Sequence, residues 1–343
     1  MTISVIIPVY KVEQYIRRCL QSVIDQETDG FKLECLLIDD CSPDHSMDIV
    51  EDIIKNYQGT TISFKVIRHE VNQGLSAARN TGIMASTGDY IFFIDSDDSI
   101  IENTFKQFAT YLHEYPFAAV IMGNALDLEE ESLSNSSMTN NNTPCLLDNK
   151  RIIMSYALSR SIDRHAWNKL IRRSLVLDND LLFDHGLLYE DVTWTYRLYS
   201  CVSSVLIVPE LTYMYECNPS SIIHTHSEQS KKMLWSFVYI IDYLLNNQPI
   251  IDGKRVLFTE HCLFVHHWML IAMDYCEKYG TDTQTGANLS VLKRKLFWRS
   301  VSHIRLFLAL YFLTMFKPLS GSLKIKACRD RLYGISRVVY KLS

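Results

Sequence analysis

The chain has nine cysteines in 343 residues but no C-x-x-C pair. An odd, unpaired set argues against a disulfide framework or a zinc ribbon and fits reduced, mostly buried thiols of a cytoplasmic protein. Cys35 and Cys41 are the nearest two, and they flank a strand end. No apolar run approaches the ~18 residues expected of a membrane-spanning helix. The longest, Leu306 to Phe316, has eleven. The apolar start, with Ile3, Val5, Ile6 and Ile7, has no basic leader, long apolar core or small-residue cleavage site, so it reads as a strand rather than an export signal. No internal repeat is visible, and nothing points to a nucleic-acid partner. With 48% apolar and 21% charged residues the chain is an ordinary folded protein, long enough for one large or two fused domains. The net charge of -5 hides an asymmetry. From Lys293 to Ser343 there are twelve Lys and Arg against one acid, Asp330, which suggests an anionic partner for this basic end.

Over the first 125 residues short apolar runs alternate with helical spacing. Strands are expected at Ile3–Ile7, Glu34–Ile38, Ser63–Ile67, Tyr90–Ile94 and Ala118–Met122. Ile16, Cys19, Leu20, Val23 and Ile24 recur at helical spacing, as do Val50, Ile53, Ile54 and Tyr57, and Asn103–Tyr115 makes a further helix. Such alternation argues for an α/β fold with a mainly parallel sheet covered by helices, whose ligands bind beyond the carboxyl ends of the strands. Tyr10, Asp39, Asp40, Asn72 and Asp95 all fall at or after those ends.

The densest chemistry follows the fourth strand, where Tyr90-Ile91-Phe92-Phe93-Ile94 runs into Asp95-Ser96-Asp97-Asp98. Three carboxylates within four positions at the end of a buried run need a cation, because unpaired buried carboxylates are costly. Oxygen-only ligation suits Mg²⁺ or Mn²⁺ carrying phosphates as further ligands, so the cluster reads as a metal–diphosphate site. The bland reading is a solvated acidic turn. Three further segments have similar double readings. Pro8-Val9-Tyr10 presents a ring that stacks on a base or simply packs. Asp39-Asp40-Cys41-Ser42-Pro43-Asp44 offers carboxylates to a base imide and a ribose hydroxyl, or caps the helix near Ser46. Asn72-Gln73-Gly74-Leu75-Ser76-Ala77-Ala78-Arg79-Asn80-Thr81-Gly82 opens a helix with small residues that admit a phosphate, with Arg79 as the cation, or that merely pack tightly.

In this order and spacing, these segments over residues 1–220 resemble the family 2 glycosyltransferases. The resemblance implies the GT-A fold, a Rossmann-like mixed sheet flanked by helices, with a helical extension at the C-terminus. It implies a nucleoside-diphosphate sugar donor, most often UDP-linked, and a divalent Mn²⁺ or Mg²⁺ on its diphosphate. Carried over residue by residue, Pro8, Tyr10 and Asp40 hold the base with Asp39 nearby. Arg79 faces the nucleotide or phosphates, Asp95 touches the ribose or the metal's water shell, Asp97 ligates the metal, and Asp98 is a second candidate ligand. The expected division is a transferase domain over 1–225, with a nucleotide-sugar half at 1–125 and an acceptor half at 145–225, followed by a basic helical extension at 226–343.

The acceptor half carries Trp167-Asn168-Lys169-Leu170 and then Tyr189-Glu190-Asp191. The family places a Glu-Asp pair here and uses its Asp as general base, which gives Asp191 that role and puts Glu190 beside the acceptor. An ordinary Asp, with a pKa of about 3.9, is ionised at neutral pH. The same two acids also suit a helix N-terminus. Trp167 either packs or offers its face to a sugar ring. In Tyr213-Met214-Tyr215-Glu216 the family usually has Arg where this chain has Glu216, which removes one expected diphosphate cation. His224 or His226 is a candidate to complete the metal shell.

Residues 129–143, rich in Glu, Ser and Asn, read as a surface loop, either a plain insertion or a mobile lid. Leu306–Phe316, flanked by Arg299, Arg305 and Lys317, resembles an amphipathic segment that holds the protein peripherally on an anionic inner leaflet, or a core helix with a basic end. The function implied is inverting transfer of a sugar to a hydroxyl of a saccharide or lipid-linked acceptor in surface polysaccharide biosynthesis. A sugar nucleotidyltransferase would need a Gly-rich basic loop where this chain has Val9-Tyr10-Lys11-Val12-Glu13. A processive membrane synthase would need spanning helices and a Gln-x-x-Arg-Trp segment. From another class, a non-catalytic carbohydrate-binding or scaffold protein on the same fold is the rival.

Overall fold

The computed structural model describes residues 1–128, 132–135, 138–139, 143–216, 218 and 230–301. The chain divides into two compact units. The first comprises Met1–Ile153, Ser161–Gly186 and Glu190–Ser220, and the second Met154–Arg160, Leu187–Tyr189 and Ser221–Ser343. The boundary expected at residue 225 lies outside the described residues, as do His224, His226 and everything from 302 onward, including Leu306–Phe316.

In chain order the first part runs β1 (Thr2–Val9), α1 (Ile16–Ile24), β2 (Lys32–Asp39), α2 (Ser46–Asn56), β3 (Ile62–Arg68), α3 (Leu75–Ala85), β4 (Tyr90–Phe93), β5 (Ser99–Ile100) and α4 (Thr104–Glu114). It continues with β6 (Val120–Asp127), β7 (Ser132–Leu133), β8 (Cys145–Leu147), α5 (Lys150–Leu158), β9 (Lys169–Arg172), α6 (Arg173–Asp178), α7 (Glu190–Cys201) and β10 (Val205–Tyr215). One mixed sheet takes the order β3-β2-β1-β4-β9-β6-β10-β5, with β7 on β6 and β8 on β10. β1 pairs parallel with both β2 and β4, setting Val5 opposite Cys35 on one side and Phe92 on the other. β9 is antiparallel to β4 and to β6, and this insertion makes the sheet mixed.

The apolar runs become central strands because they are covered on both faces. Ile3, Val5, Ile6, Ile7 and Val9 of β1 are all fully buried, each contributing roughly 1.5–3 kcal/mol. α1 buries Ile16, Cys19, Leu20 and Val23, one stripe at helical spacing. α3 lies so close to β1 that a Cβ on Gly82 would come within 2.3 Å of Ile6 Cγ2, which explains the glycine there. Below the strand ends Phe93, Phe183 and Trp194 form one ring cluster, with Phe183 stacked on Trp194 at 4.6 Å.

The five expected strands are present, the last shifted to Val120–Asp127. The stretch read as a loop over 129–143 is partly sheet. Ser132–Leu133 form β7 against β6, and Asn135 donates to the Gly123 carbonyl at 3.0 Å, so the described residues 132–135 are anchored to β6.

The second unit contains α8 (Ser230–Asn246), the short pair β11 (Ile250–Ile251) and β12 (Lys254–Arg255), α9 (Phe258–Tyr279) and α10 (Thr283–Val301). Its core gathers the rings of Tyr189, Phe237, Trp268 and Tyr275. Among the described residues no helix is long and apolar enough to cross a membrane.

Candidate active site

The carboxyl ends of β1, β2 and β4, the start of α3 and the N-terminus of α7 meet in the first unit. β1 delivers buried Pro8 and then Tyr10, whose ring is 38% exposed. The Lys11 ammonium lies 5.3 Å from that ring, and the Lys11 N–H donates to Ser42 Oγ at 2.8 Å.

After β2, Asp39 accepts the Ser42 N–H at 2.9 Å, an Asx-type turn, and faces the Arg68 guanidinium at 3.5 Å. Asp40 is 3% exposed, and four donors converge on its carboxylate. Gln73 N–H and His69 Nδ1 meet Oδ1 at 2.8 and 2.7 Å, and Gly74 N–H and Asn72 Nδ2 meet Oδ2 at 2.7 and 2.9 Å. That fills the roughly four lone-pair sites a carboxylate offers. The backbone N–H groups of 73 and 74, expected to admit a phosphate, are therefore taken by Asp40. Gly74 takes φ +88°, a conformation that favours glycine, to bring its N–H there. Asp44 organises the start of α2, in line with the capping reading, by accepting from Ser46 N–H and Oγ and from Ser42 Oγ.

Arg79, one turn into α3, is 2% exposed. One guanidinium nitrogen donates to Asp95 Oδ1 at 2.6 Å and the other to Glu190 Oε1 at 2.5 Å, while its face lies 5.2 Å from the Phe183 ring. The next residue, Asn80, exchanges two hydrogen bonds with the Phe183 backbone. Arg79 and Asn80 thus bind the third strand–helix junction to residues a hundred positions later. Two carboxylates hold the Arg79 guanidinium firmly protonated against the cost of burial.

The acidic turn after β4 splits into different environments. Asp95 and Asp97 are half-buried, whereas Asp98 is 1% exposed. Asp98 accepts from Tyr213 Oη at 2.7 Å and from the Glu216 N–H at 2.9 Å, so both of its oxygens are engaged within the fold. Asp97 accepts from Asn218 Nδ2 at 3.0 Å. Burial pushes the Asp97 carboxyl up from its ordinary range and the Asp95 charge adds to this. Asp98 is driven well up by burial and then by both neighbours. Among the described residues the cations at this turn are Arg79, on Asp95, and Arg18, on the Asp97 carbonyl. Among the described residues no three His, Cys, Asp or Glu side chains cluster as a metal site. Small divalent cations usually take only one or two carboxylates and fill their shells with phosphate and water. An all-oxygen pair, Asp95 and Asp97, fits such an ion.

α7 begins with Glu190 and Asp191, in the first turn where acids favour the helix dipole. Glu190 is buried against Arg79; burial raises its pKa, the guanidinium opposes that, and Asp191 adds to it. Asp191 is half-buried, and no hydrogen bond ties its carboxylate among the described residues. Burial raises its pKa above the ordinary Asp range, against the opposing charges of His165, Arg79 and Arg164.

Trp167 does not offer an open face. It is 6% exposed, with His165 stacked at 4.5 Å and Tyr213 stacked at 4.5 Å. The ring that this column shows to solvent is His165, whose side chain is 56% exposed and whose Nδ1 meets Asp163 at 2.8 Å. Asp163 is held ionised by Lys169, itself fully buried at 3.3 Å. Sequence reasoning passed over His165, Tyr213 as an Asp98 partner, and Arg18, which donates to the Asp97 carbonyl at 2.6 Å. Only Tyr213 left a signal, as part of the closing aromatic segment.

The chain belongs to glycosyl transferase family 2, whose family model matches residues 4–180, just over half of its length. It is 33% identical over 267 residues to the putative glycosyltransferase EpsH of Bacillus subtilis (strain 168), covering 75% of this chain and 73% of that protein. Across three such curated relatives it spans 62%, 73% and 68% of their length, so for one of them less than two thirds. Its fold resembles that of Staphylococcus aureus TarS 1–349, solved in complex with UDP-GlcNAc, with TM-score 0.65, 19% identity, and 92% of this chain and 91% of that one covered. It also resembles mannosyltransferase PcManGT of Pyrobaculum calidifontis, solved with GDP-Man and Mn²⁺, with TM-score 0.51, 13% identity, and coverage of 92% and 87%. The mixed sheet flanked by helices is thus the GT-A fold, accompanied by a helical C-terminal region.

Proposed function

We propose that the protein transfers a sugar, with inversion, from a nucleoside-diphosphate sugar to a hydroxyl of a saccharide or lipid-linked acceptor in surface polysaccharide synthesis. The single observation that carries this reading is the buried Arg79 fork. It joins Asp95, at the strand end where the donor would sit, to Glu190, and so brings the untied Asp191 to the same crevice. The UDP-GlcNAc bound by TarS supports a UDP-linked donor. The manganese in PcManGT supports a divalent cation, Mn²⁺ or Mg²⁺.

In this reading the nucleotide rests on Pro8, Tyr10 and Asp39, while Asp40 holds the loop beneath it. Asp97, with Asp95 beside it, would hold the cation, which when bound would supply positive charge to the diphosphate. Asp191 takes the proton from the acceptor hydroxyl as its oxygen forms the new bond to the anomeric carbon. The bond from that carbon to the diphosphate breaks, and the nucleoside diphosphate leaves with the electron pair. Glu190, pinned by Arg79, keeps the α7 terminus in place for this. The raised Asp191 pKa suits a base, since proton transfer is most effective when the pKa approaches the working pH.

The test is turnover of UDP- and GDP-sugars by the purified chain, with Mn²⁺ and with EDTA. Metal-dependent release of nucleotide that vanishes in Asp191→Ala, while that variant still takes up the nucleotide, supports the assignment. Undiminished transfer by a folded Asp191→Ala protein would remove Asp191 from the chemistry.

A further inference from the structure

The face of α1 next to the acidic turn does more than fill the core. Cys19 Sγ lies 3.7 Å from the Asp95 carbonyl, and Ser22 Oγ accepts the Ile100 N–H at 3.2 Å. Just past the helix, Gln26 Nε2 donates to the Ile101 carbonyl at 2.8 Å. Positions 19, 22 and 26 recur at helical spacing, so one stripe grips the backbone from Asp95 to Ile101.

Arg18 extends this stripe to Asp97. One guanidinium nitrogen donates to the Asp97 carbonyl at 2.6 Å, and the other pairs with the Glu216 carboxylate. The segment after β10 is already bound to the same turn through Asp98 and through Asn218 on Asp97. Arg18 is thus the cation that joins α1, the Asp97 backbone and Glu216. An isolated ion pair at its 42% side-chain exposure would contribute little, on the order of 0–1 kcal/mol. A planar fork engaging two segments fixes geometry instead, which a lysine ammonium does not reproduce. Neighbouring Arg17, 61% exposed, makes only a loose 3.8 Å contact with Asp52.

We propose that Arg18 is a positioning residue for the donor site, its fork fixing the Asp97 backbone against Glu216 so that the Asp97 carboxylate is presented to the diphosphate-bound cation. This rests on the reading of Asp97 as the cation's ligand. It gives Glu216 a role too, as the anchor for Arg18. The residue acts through Asp97 and touches neither nucleotide nor sugar.

The experiment is calorimetric titration of UDP into the full chain, with Mn²⁺ and again with EDTA. The proteins are wild type, Arg18→Ala, Arg18→Lys and Arg17→Ala, with thermal melts as a check on folding. Residues that orient a metal ligand typically cost about ten- to a hundredfold in metal affinity when lost. Arg18→Ala is therefore expected to weaken Mn²⁺-dependent UDP uptake by about tenfold or more while leaving the uptake in EDTA unchanged. Arg18→Lys, which keeps the charge and the fold but not the fork, should recover little of that loss, and Arg17→Ala should match wild type. Should Arg18→Ala not fold, Arg18→Lys carries the test alone. Equal Mn²⁺-dependent affinity in wild type and Arg18→Ala overturns the proposal, as does full recovery in Arg18→Lys or an equal loss in Arg17→Ala. An equal loss with and without metal overturns it as well, since that marks a general support of the fold. No Mn²⁺-dependent uptake by wild type would instead strike the underlying reading of Asp97.

Discussion

Aspartates follow the apolar runs of both β2 and β4, and the two turns are built in opposite ways. After β2, Asp40 is sealed among four donors, three of them neutral backbone or amide groups and the fourth the His69 ring. After β4, Asp95, Asp97 and Asp98 crowd one another, and burial with mutual repulsion pushes the latter two carboxyls up. The first arrangement satisfies its carboxylate through hydrogen bonds and serves as a staple. The second is the one we propose receives a cation. Similar acids after apolar runs thus differ in setting according to the donors that the neighbouring chain supplies.

The strongest way to break this contrast is Asp97→Ala. It should lower sugar transfer by about a thousandfold, measured as nucleotide release, with the melting temperature kept. Asp40→Ala should do the reverse. It strands the Gln73 and Gly74 N–H groups, each costing about 1–3 kcal/mol when left unsatisfied, so denaturant titration should show a loss of several kcal/mol.

A subtler probe is the pH profile. As the proposed base, Asp191 would act only when deprotonated; its pKa is raised, so activity should fall on acidification at a pH above the ordinary carboxylate range. The imidazolium of His165, itself favoured by Asp163, opposes that rise. His165→Gln should therefore move the acid limb to higher pH, read from kcat/KM against pH. The smallest effect is expected from Asp98→Asn. Because both Asp98 oxygens are engaged by Tyr213 and Glu216, its replacement should change Mn²⁺-dependent UDP affinity by less than about threefold, or under about 0.7 kcal/mol. A loss matching that of Asp97→Ala would restore Asp98 as a ligand.

Much of the fold was legible because it rests on local periodicity. The apolar runs of β1 to β4 and the stripe Ile16, Cys19, Leu20, Val23 are visible without partners. β5, β7 and β8 were not, since strands of two or three residues exist only where β6 and β10 receive them. The acids of the candidate site were legible as residue types after buried strands, but their division of labour was not. Asp40 finds its donors 29 to 34 positions away, and Arg18 finds Glu216 at a separation of 198. Trp167 shows the same limit. The chemistry of an indole suits a sugar, yet Tyr213 and His165, both outside its local segment pattern, cover it.

The Asp40 staple has a consequence for solvent dynamics. Gln73 sits at the protein surface, where an amide would ordinarily trade its hydrogen for deuterium within moments. Its N–H and that of Gly74 point inward to a sealed carboxylate, so both should retain hydrogen on the timescale of the central strands. This outwardly loose bend would then be one of the slowest-exchanging stretches of the surface, a firm rim for the proposed nucleotide seat.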